Sequence, residues 1–248
     1  MSPPLTLDVS DGIAVMTMRA PERRNALTVE MAEAMLDACA TIDADPGVGA
    51  VIVTGEGDYF CAGGDRGVLD DAGKDPAGPQ TYRSMGLIYS AFARVGKLEP
   101  PTIAAIRGGA LGAGLNLALA TDLRVVAEDA RLLSGFLPIG LHPGGGHSLL
   151  ISRAVGRETA NALQLFGQRI TGMQAVTLGL AWAAVPAAAV DATARDLART
   201  PAADPELARR TAKSMRTIAG PPALPWDAAL DLERASQMWS LRRKELAA

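Results

Sequence analysis

The chain has 248 residues, 48% of them hydrophobic and 21% charged, so it can form a large core and is not a disordered protein. The formal net charge of −3 and the pI near 5.5 argue against a nucleic-acid or anionic-membrane partner. Two cysteines are too few for a disulfide framework, which favours a cytoplasmic location. No signal-peptide pattern opens the chain, and no apolar run reaches the roughly 18 residues of a membrane span.

The N-terminal region is predicted to form a β-hairpin followed by a helix. Apolar and polar residues alternate over 5–9 and 13–18, and an Asp-Gly pair between them favours a hairpin turn. A charged loop over 21–28 ends at Thr28, which can cap a helix. The apolar residues of that helix recur at helical spacing, so one of its faces should be buried.

The next part of the chain contains two strand patterns and a second helix. Residues 50–54 are predicted to form a short buried strand, which leads into a glycine turn over 55–65. Residues 67–79 are polar and contain Gly and Pro, so we predict a mobile loop there. A helix beginning near Gln80 follows, and a Pro-Pro pair stops it before a strand over 102–106.

The apolar, alanine- and leucine-rich segment after this strand is predicted to be a buried helix. Three more strands and a helical tail are predicted after that helix. Residues 123–126 and 131–134 are strand-like and lead to a glycine turn over 135–147 that opens a helix. Further helix patterns cover 148–154 and 157–166, and a short strand covers 181–185. From about Asp191 the chain is predicted to be helical, including a start at Asp204-Pro205 and a helix patterned on Leu232 and Trp239.

Glycine turns that follow strands expose backbone N–H groups at a helix start, where they favour something negative. The ligand of these turns could be a phosphate, a carboxylate or an oxyanion that develops during a reaction. Glycines that only mark tight turns are the alternative. The sequence has no dinucleotide fingerprint, phosphate loop, zinc-ligand spacing or serine-hydrolase elbow, and no metal site is predicted.

Four motifs together resemble the crotonase family, the enoyl-CoA hydratase/isomerase superfamily. They are PERRNAL (21–27), FCAGGD (60–65), GGALGAGLNLALATDLRVV (108–126) and GLHPGGG (140–146), in the family's order and spacing. The resemblance implies an α/β fold, a crotonase-like spiral of ββα units with a helical C-terminal region. It divides the chain into a core that holds the acyl-CoA site, 1–190, and a C-terminal trimerisation region, 191–248.

The resemblance implies a coenzyme A thioester as the small-molecule partner, with no tightly bound cofactor and with CoA as part of the substrate. It assigns the two N–H groups that hold the thioester oxygen to Gly64 and Ala113. It implies a homotrimer or hexamer, and it places the following residues along the ligand: Arg24, Ala26, Leu27, Ala62, Gly63, Gly64, Asp65, Leu111, Gly112, Ala113, Phe136 and Gly140.

The chain departs from the family at the two glutamates that family hydratases use to activate water. These positions match Asn116 and Phe136, and neither an amide nor a phenyl ring exchanges protons near neutral pH. Hydration is therefore doubtful, although the chain resembles an acyl-CoA lyase or isomerase of fatty acid metabolism. The alternatives are an acyl-CoA-binding protein without turnover and a decarboxylase or thioesterase-like variant.

Five residues could take part in chemistry. Asn116 could hold a water molecule or a carboxylate, or could only pack at the helix start. His142 is expected to be buried beneath the third glycine turn, whereas His147 is expected to cap a helix or to face solvent. Asp65 is expected to support its loop, and Cys61 is expected to be a small buried residue rather than a nucleophile.

Overall fold

The computed structural model describes residues 3–75 and 77–220, in which a long sheet carries most of the fold. Its strands, in order across the sheet, are β1 (Leu5–Ser10), β2 (Ile13–Met18), β3 (Ala50–Gly55), β5 (Thr102–Ile106), β7 (Leu123–Ala127) and β9 (Ala183–Val185). The predicted hairpin is confirmed, since β1 and β2 pair antiparallel from Leu5 opposite Met18 to Ser10 opposite Ile13. All other neighbours in this sheet are parallel.

A second sheet, of three short strands, lies beside the first, and its strands alternate along the chain with strands of the long sheet. It consists of β4 (Tyr59–Cys61), β6 (Gly109–Leu111) and β8 (Arg131–Leu133), which pair in parallel in that order. Each short strand follows a long-sheet strand and precedes a helix. The chain thus runs through successive ββα units, which confirms the predicted α/β class.

Eight α-helices complete the described residues. They are α1 (Val29–Ala44), α2 (Arg66–Lys74), α3 (Pro79–Val95), α4 (Ala113–Ala120), α5 (His147–Gln164), α6 (Gly172–Thr177), α7 (Val190–Ala202) and α8 (Pro205–Ile218). The predicted caps are confirmed, since the Thr28 hydroxyl accepts from Met31 N and the Asp204 carboxylate accepts from Leu207 N. The two helices predicted after residue 147 form one helix with a break at Gly156, whose φ is 74°.

The prediction of a loop over 67–79 is wrong for most of that range. Helix α2 occupies it from Arg66 to Lys74, and no residue of this helix is buried. Its start is stabilised by Asp65, whose carboxylate accepts hydrogen bonds from Gly67 N and Val68 N. Capping of the free N–H groups therefore outweighs the glycine and polar content that favoured a loop.

Helix α4 lies in the interior, as its continuous apolar sequence predicts. Six consecutive residues, Gly114 to Leu119, are buried, and the helix packs against α3, α5 and the short strands β4 and β6. At Gly114 a Cβ would lie 2.2 Å from the carbonyl oxygen of Cys61, so only glycine allows this contact. The start of α4 is therefore fixed directly against the end of β4.

The C-terminal region begins as part of the core, because α7 packs on the long sheet at β3, β5 and β7. Residues 221–248 lie outside the described residues, and so does the helix predicted around Leu232 and Trp239. A trimerisation role for 191–248 stays a prediction. None of the helices in 3–75 and 77–220 combines the length and the apolar character needed to cross a membrane.

Candidate functional site

Two glycine turns meet where β4 and β6 end. Gly63 has φ of 97° and Gly112 has φ of 53°, values that favour glycine because a Cβ would be strained there. A Cβ built on Gly63 would lie 2.8 Å from the carbonyl oxygen of Leu111 and 3.5 Å from the amide nitrogen of Ala113. The structure thus places Gly63, in the first glycine turn, directly against Leu111 and Ala113 of the second.

The amide groups of Gly64 and Ala113, which we call the amide pair, have no acceptor among the described residues. Ala113 is the first residue of α4, where an N–H group has no partner within its own helix and the helix dipole is positive. Gly64 lies opposite Leu27, but the two hydrogen bonds of this bridge are made by Gly63 O and Asp65 N. The N–H group of Gly64 itself therefore has no acceptor within the part of the chain that the structure describes. Two unused donors on adjacent turns can hold one oxygen that carries negative charge.

The charged loop over 21–28 is bound to the first glycine turn by three backbone hydrogen bonds. Leu27 N donates to Gly63 O at 2.7 Å, Asp65 N donates to Leu27 O at 3.0 Å, and Ala62 N donates to Arg24 O at 3.0 Å. Ala26 and Leu27 are buried, whereas the Arg24 guanidinium lies 5.1 Å from the centroid of an aromatic ring, that of Tyr59. The loop residues predicted to line the ligand therefore lie next to Gly64.

Asn25 fixes this loop, a role that the sequence reasoning missed. It is buried and has φ of 55°, a left-handed conformation that Asn adopts more readily than most residues. Its Oδ1 accepts from Ala20 N at 2.9 Å, and its Nδ2 donates to the carbonyl oxygens of Glu56 and Tyr59. A single asparagine in a charged loop was the only sequence signal for this role.

The third glycine turn adds Phe136 to the amide pair. Gly112 N donates to Leu133 O at 3.2 Å, which holds the end of β8 beside the start of α4. The Phe136 Cζ atom lies 3.7 Å from the point where a Cβ on Gly112 would sit. Gly140 has φ of 72° on the exposed side of this turn, with no heavy atom within 4 Å of its Cβ position.

The Asn116 side chain is fully buried, and both of its polar atoms are engaged within the protein. Its Nδ2 donates to Gly144 O at 3.0 Å, and its Oδ1 lies 2.6 Å from His147 Nδ1. Gly145 lies against the same amide, since a Cβ there would be 3.1 Å from Asn116 Nδ2 and 2.4 Å from the Phe92 ring. Asn116 was expected to hold a water molecule or a carboxylate, or only to pack at the helix start, and none of these roles includes the hydrogen bonds to Gly144 and His147.

The expectations for the two histidines are wrong, because their environments are exchanged. His142 is exposed, and its Nδ1 contacts the carbonyl oxygen of Pro143. His147 is buried, with its Nε2 2.5 Å from the hydroxyl of Ser134. Glycines with φ of 66° and 77° at 145 and 146 reverse the chain just before His147, which directs its ring inward.

Asn116, His147 and Ser134 therefore form a buried chain of hydrogen bonds, which we call the buried triad. Phe136 covers it, with its ring centroid 4.9 Å from that of His147 in an edge-on arrangement. Burial lowers the pKa of His147 from 6.5 to about 4, so its imidazole is neutral near pH 7. Ser134 was missed from the sequence because its partner His147 lies 13 residues away.

The pH dependence of folding should report the burial of His147. Unfolded chains bind the proton at pH values below 6.5 and the folded chain only below about 4, so stability is full above pH 6.5 and falls as the pH drops towards 4. We expect the free energy of unfolding to fall by about 2 kcal/mol between pH 7 and pH 5 from this residue alone. Urea titrations of the wild type and of His147→Gln measure it.

In that comparison His147→Gln serves as the neutral control. Every other titrating group is common to the two proteins, so the difference between their pH profiles isolates the imidazole. Equal slopes for the two proteins between pH 7 and pH 5 would show that His147 does not fold in its neutral form.

The remaining sequence candidates have structural roles. Cys61 is buried, and burial raises the pKa of its thiol to about 12, which makes it a poor nucleophile at neutral pH. Asp65 caps α2. Within 3–75 and 77–220, no group of three or more acidic, cysteine or histidine side chains is arranged to hold a metal ion.

Two cavities lie away from the amide pair. One of about 1210 Å³ is lined by residues of α7 and α8, and one of about 510 Å³ lies beside Arg107 and Asp191. Arg107 and Asp191 form an ion pair at 3.2 Å in the second cavity. Neither cavity is lined by Gly64 or Ala113, so the candidate site is defined by the amide pair and the side chains around it.

Comparison with known proteins identifies the family. The family model for enoyl-CoA hydratase/isomerase matches residues 8–240. A Mycobacterium tuberculosis protein named "Probable enoyl-CoA hydratase EchA14" is 40% identical, over 99% of this chain and 95% of its own. The 1,2-epoxyphenylacetyl-CoA isomerase of Escherichia coli is 34% identical, over 92% of this chain and 87% of its own.

Solved structures agree with this assignment and with the predicted crotonase-like spiral. An enoyl-CoA hydratase from Polaromonas sp. JS666 superposes with a TM-score of 0.87 at 28% identity, covering 96% of this chain and 91% of that chain. An enoyl-CoA hydratase from Mycobacterium smegmatis gives a TM-score of 0.86 at 25% identity, covering 97% and 91%. The chain therefore belongs to the enoyl-CoA hydratase/isomerase family.

Proposed function

We propose that the protein is an acyl-CoA enzyme that polarises a CoA thioester with the amide pair. The observation that carries this proposal is the pair of unused donors, Gly64 N–H and Ala113 N–H, on two touching turns. An E. coli relative at 34% identity is named as an isomerase of a CoA thioester. A thioester oxygen becomes negatively charged as an enolate or a tetrahedral intermediate forms, and donors placed beforehand stabilise that charge.

The remainder of the ligand is proposed to follow the loops that surround the amide pair. Arg24, Ala26 and Leu27 would lie towards the adenine end, and residues 62–65 along the pantetheine arm. This proposal is supported by the hydrogen bonds that join the two segments. CoA would enter as part of the substrate, without a separate bound cofactor, in a cytoplasmic homotrimer or hexamer assembled through 191–248.

Hydration of a double bond is not the reaction that we propose. The fully buried Asn116 has its amide nitrogen on Gly144 O and its amide oxygen on His147, so its amide is held by the protein and is turned away from solvent. Phe136 brings only an apolar ring to Gly112. General acid–base help contributes about 10²–10⁴-fold in rate, and both residues that would provide it are replaced.

Binding and hydration of crotonyl-CoA, measured separately, test this proposal. We expect calorimetry to show saturable binding of both ligands, with a higher affinity for crotonyl-CoA than for free CoA. Only crotonyl-CoA has the thioester oxygen that the amide pair would hold. Formation of the hydrated product, 3-hydroxybutyryl-CoA, should be no faster with the protein than in buffer alone. Binding of free CoA and crotonyl-CoA with equal affinity would overturn the proposed role of the amide pair. Rapid hydration would overturn the role assigned to the two replaced glutamates.

An acyl-CoA-binding protein without turnover is the second candidate. It is favoured by the same two replacements, since Asn116 and Phe136 leave the amide pair with no acid or base of the family type. Release of free CoA or any change in the acyl group during incubation with the purified protein would exclude it.

A further inference from the structure

The buried triad has one consistent arrangement of hydrogen atoms. Gly144 O can only accept, so the Asn116 amide must direct its Nδ2 to it and its Oδ1 to His147. His147 Nδ1 must then carry the hydrogen atom, which leaves Nε2 as an acceptor. The Ser134 hydroxyl consequently donates to Nε2 across 2.5 Å. Each proton position in the triad follows from the single carbonyl of Gly144.

This order matches the logic of a nucleophile, a base and an orienting group. A hydroxyl lies within hydrogen-bond distance of an imidazole nitrogen, and the other ring nitrogen is held by an amide oxygen at 2.6 Å. Triads of this kind occur on unrelated folds and are recognised by geometry, and asparagine serves as the third member in some of them. The chain has this geometry although it lacks the sequence motif of a serine hydrolase.

The buried triad also lies beside the amide pair. Ser134 follows Leu133, whose carbonyl accepts from Gly112 N, and Gly112 precedes the donor Ala113. The Ser134 carbonyl oxygen is 3.4 Å from the Cβ position of Gly112. Asn116 lies one turn further along α4 than the donor Ala113. Ser134 and the donor Ala113 therefore follow two residues that are joined by a backbone hydrogen bond.

We propose that Ser134 is a catalytic nucleophile that accepts the acyl group of a bound CoA thioester, with His147 as its base and Asn116 as a positioning residue. This inference rests on the proposed function, because the amide pair must hold the thioester oxygen. The reaction is thioester hydrolysis through an acyl-serine intermediate, with water as the second reactant.

The steps balance as two acyl transfers. Ser134 Oγ bonds to the thioester carbon while its proton moves to His147 Nε2, and the carbonyl electron pair moves to the oxygen held by the amide pair. The carbon–sulfur bond then breaks, and the sulfur takes the proton from Nε2 and leaves as the CoA thiol. Water repeats the sequence on the acyl-serine, releasing the carboxylic acid and restoring the Ser134 hydroxyl.

Phe136 controls access to this nucleophile. Ser134 is 2% exposed, and the Phe136 ring contacts both the His147 imidazole and the region in front of Gly112. The ring is only half-buried itself, so it can turn aside when an acyl chain enters. Slow acylation follows, because the ring must move and because a neutral amide stabilises the imidazolium less than a carboxylate does.

Mass spectrometry of the full-length protein after incubation with acetyl-, crotonyl- and phenylacetyl-CoA tests the proposal. We expect release of CoA thiol and an acyl adduct within the tryptic peptide 132–153, which fragmentation assigns to Ser134. Ser134→Ala should lower thiol release at least about 100-fold, whereas Ser134→Cys should retain an adduct on sulfur. The control Ser148→Ala alters an exposed hydroxyl in the same peptide and should leave release unchanged.

Calorimetric binding of the same thioesters separates the two proposals. Binding with neither thiol release nor an adduct overturns the role of Ser134 and leaves the amide-pair proposal intact. Absence of binding overturns both. Thiol release by Ser134→Ala at the wild-type rate would contradict the role of Ser134 as a nucleophile. If this variant differs from the wild type only in its melting temperature, the buried triad has a structural role alone.

Discussion

Replacing Asn116 and Phe136 by glutamate, together with His147→Gly, should create hydration of crotonyl-CoA. The two glutamates restore the acid and base of the family hydratases, a contribution of about 10²–10⁴-fold in rate. The third change is needed because a glutamate is one methylene longer than asparagine, and His147 Nδ1 already lies 2.6 Å from Asn116 Oδ1. We expect a gain of at least about 100-fold over the wild type, measured by loss of the enoyl absorbance.

A glutamine version of the same triple variant is the matched control. It has the same size and the same loss of the His147 ring, but its amides exchange no protons near neutral pH. Both variants lose the same buried imidazole, so that cost in stability is common to them. Equal hydration by the glutamate and glutamine variants would contradict the assignment of the missing chemistry to these two positions.

The second large effect is expected from Ala113→Pro in the glutamate-containing variant. Proline removes one donor of the amide pair but suits the first position of a helix, where the N–H group has no helical partner. The fold should therefore persist while kcat/KM for hydration falls about 10²–10³-fold. Steady-state kinetics with crotonyl-CoA provide the measurement.

Ala113→Gly is the control for that substitution. It removes a methyl group from the same residue and keeps the N–H group, so its kcat/KM should stay within about tenfold of the parent. If the proline and glycine variants lose activity equally, the effect comes from packing at the start of α4, and Ala113 N–H is not a donor to the oxyanion.

Much of the fold could be predicted from local sequence chemistry. The Asp-Gly hairpin turn, the Thr28 and Asp204 caps and the apolar run of α4 each act over a few residues, and the structure confirms them. Helix α2 was missed because its composition resembles a loop. Its capping by Asp65 depends on a side-chain direction that composition does not report.

The candidate site was predictable only where the chain repeats a local motif. Gly64 and Ala113 lie in glycine turns that can be recognised from the sequence, and the structure places these turns in contact. The buried triad joins residues 13 and 31 positions apart, which no local pattern connects. Which of two histidines faces inward depends on the left-handed glycines at 145 and 146.

The replacements at the family glutamates have a physical consequence beyond the loss of two acids. A carboxylate at 116 would lie beside Gly144 O, whereas the asparagine amide donates to it and orients His147 through its other atom. The same substitution that argues against hydration therefore builds the buried triad. Phe136 adds an aromatic ring to the front of Gly112 and narrows the space for an acyl group.

Infrared difference spectroscopy of crotonyl-CoA labelled with ¹³C at its carbonyl carbon tests the central claim most directly. Two hydrogen bonds from the amide pair weaken the carbonyl bond, so the labelled stretch should move to lower frequency on binding to Ser134→Ala, in which the thioester stays intact. The measurement needs no turnover and depends on neither Ser134 nor Phe136 as a reactant. A carbonyl band that keeps its solution frequency in the saturated complex would contradict the role of Gly64 and Ala113.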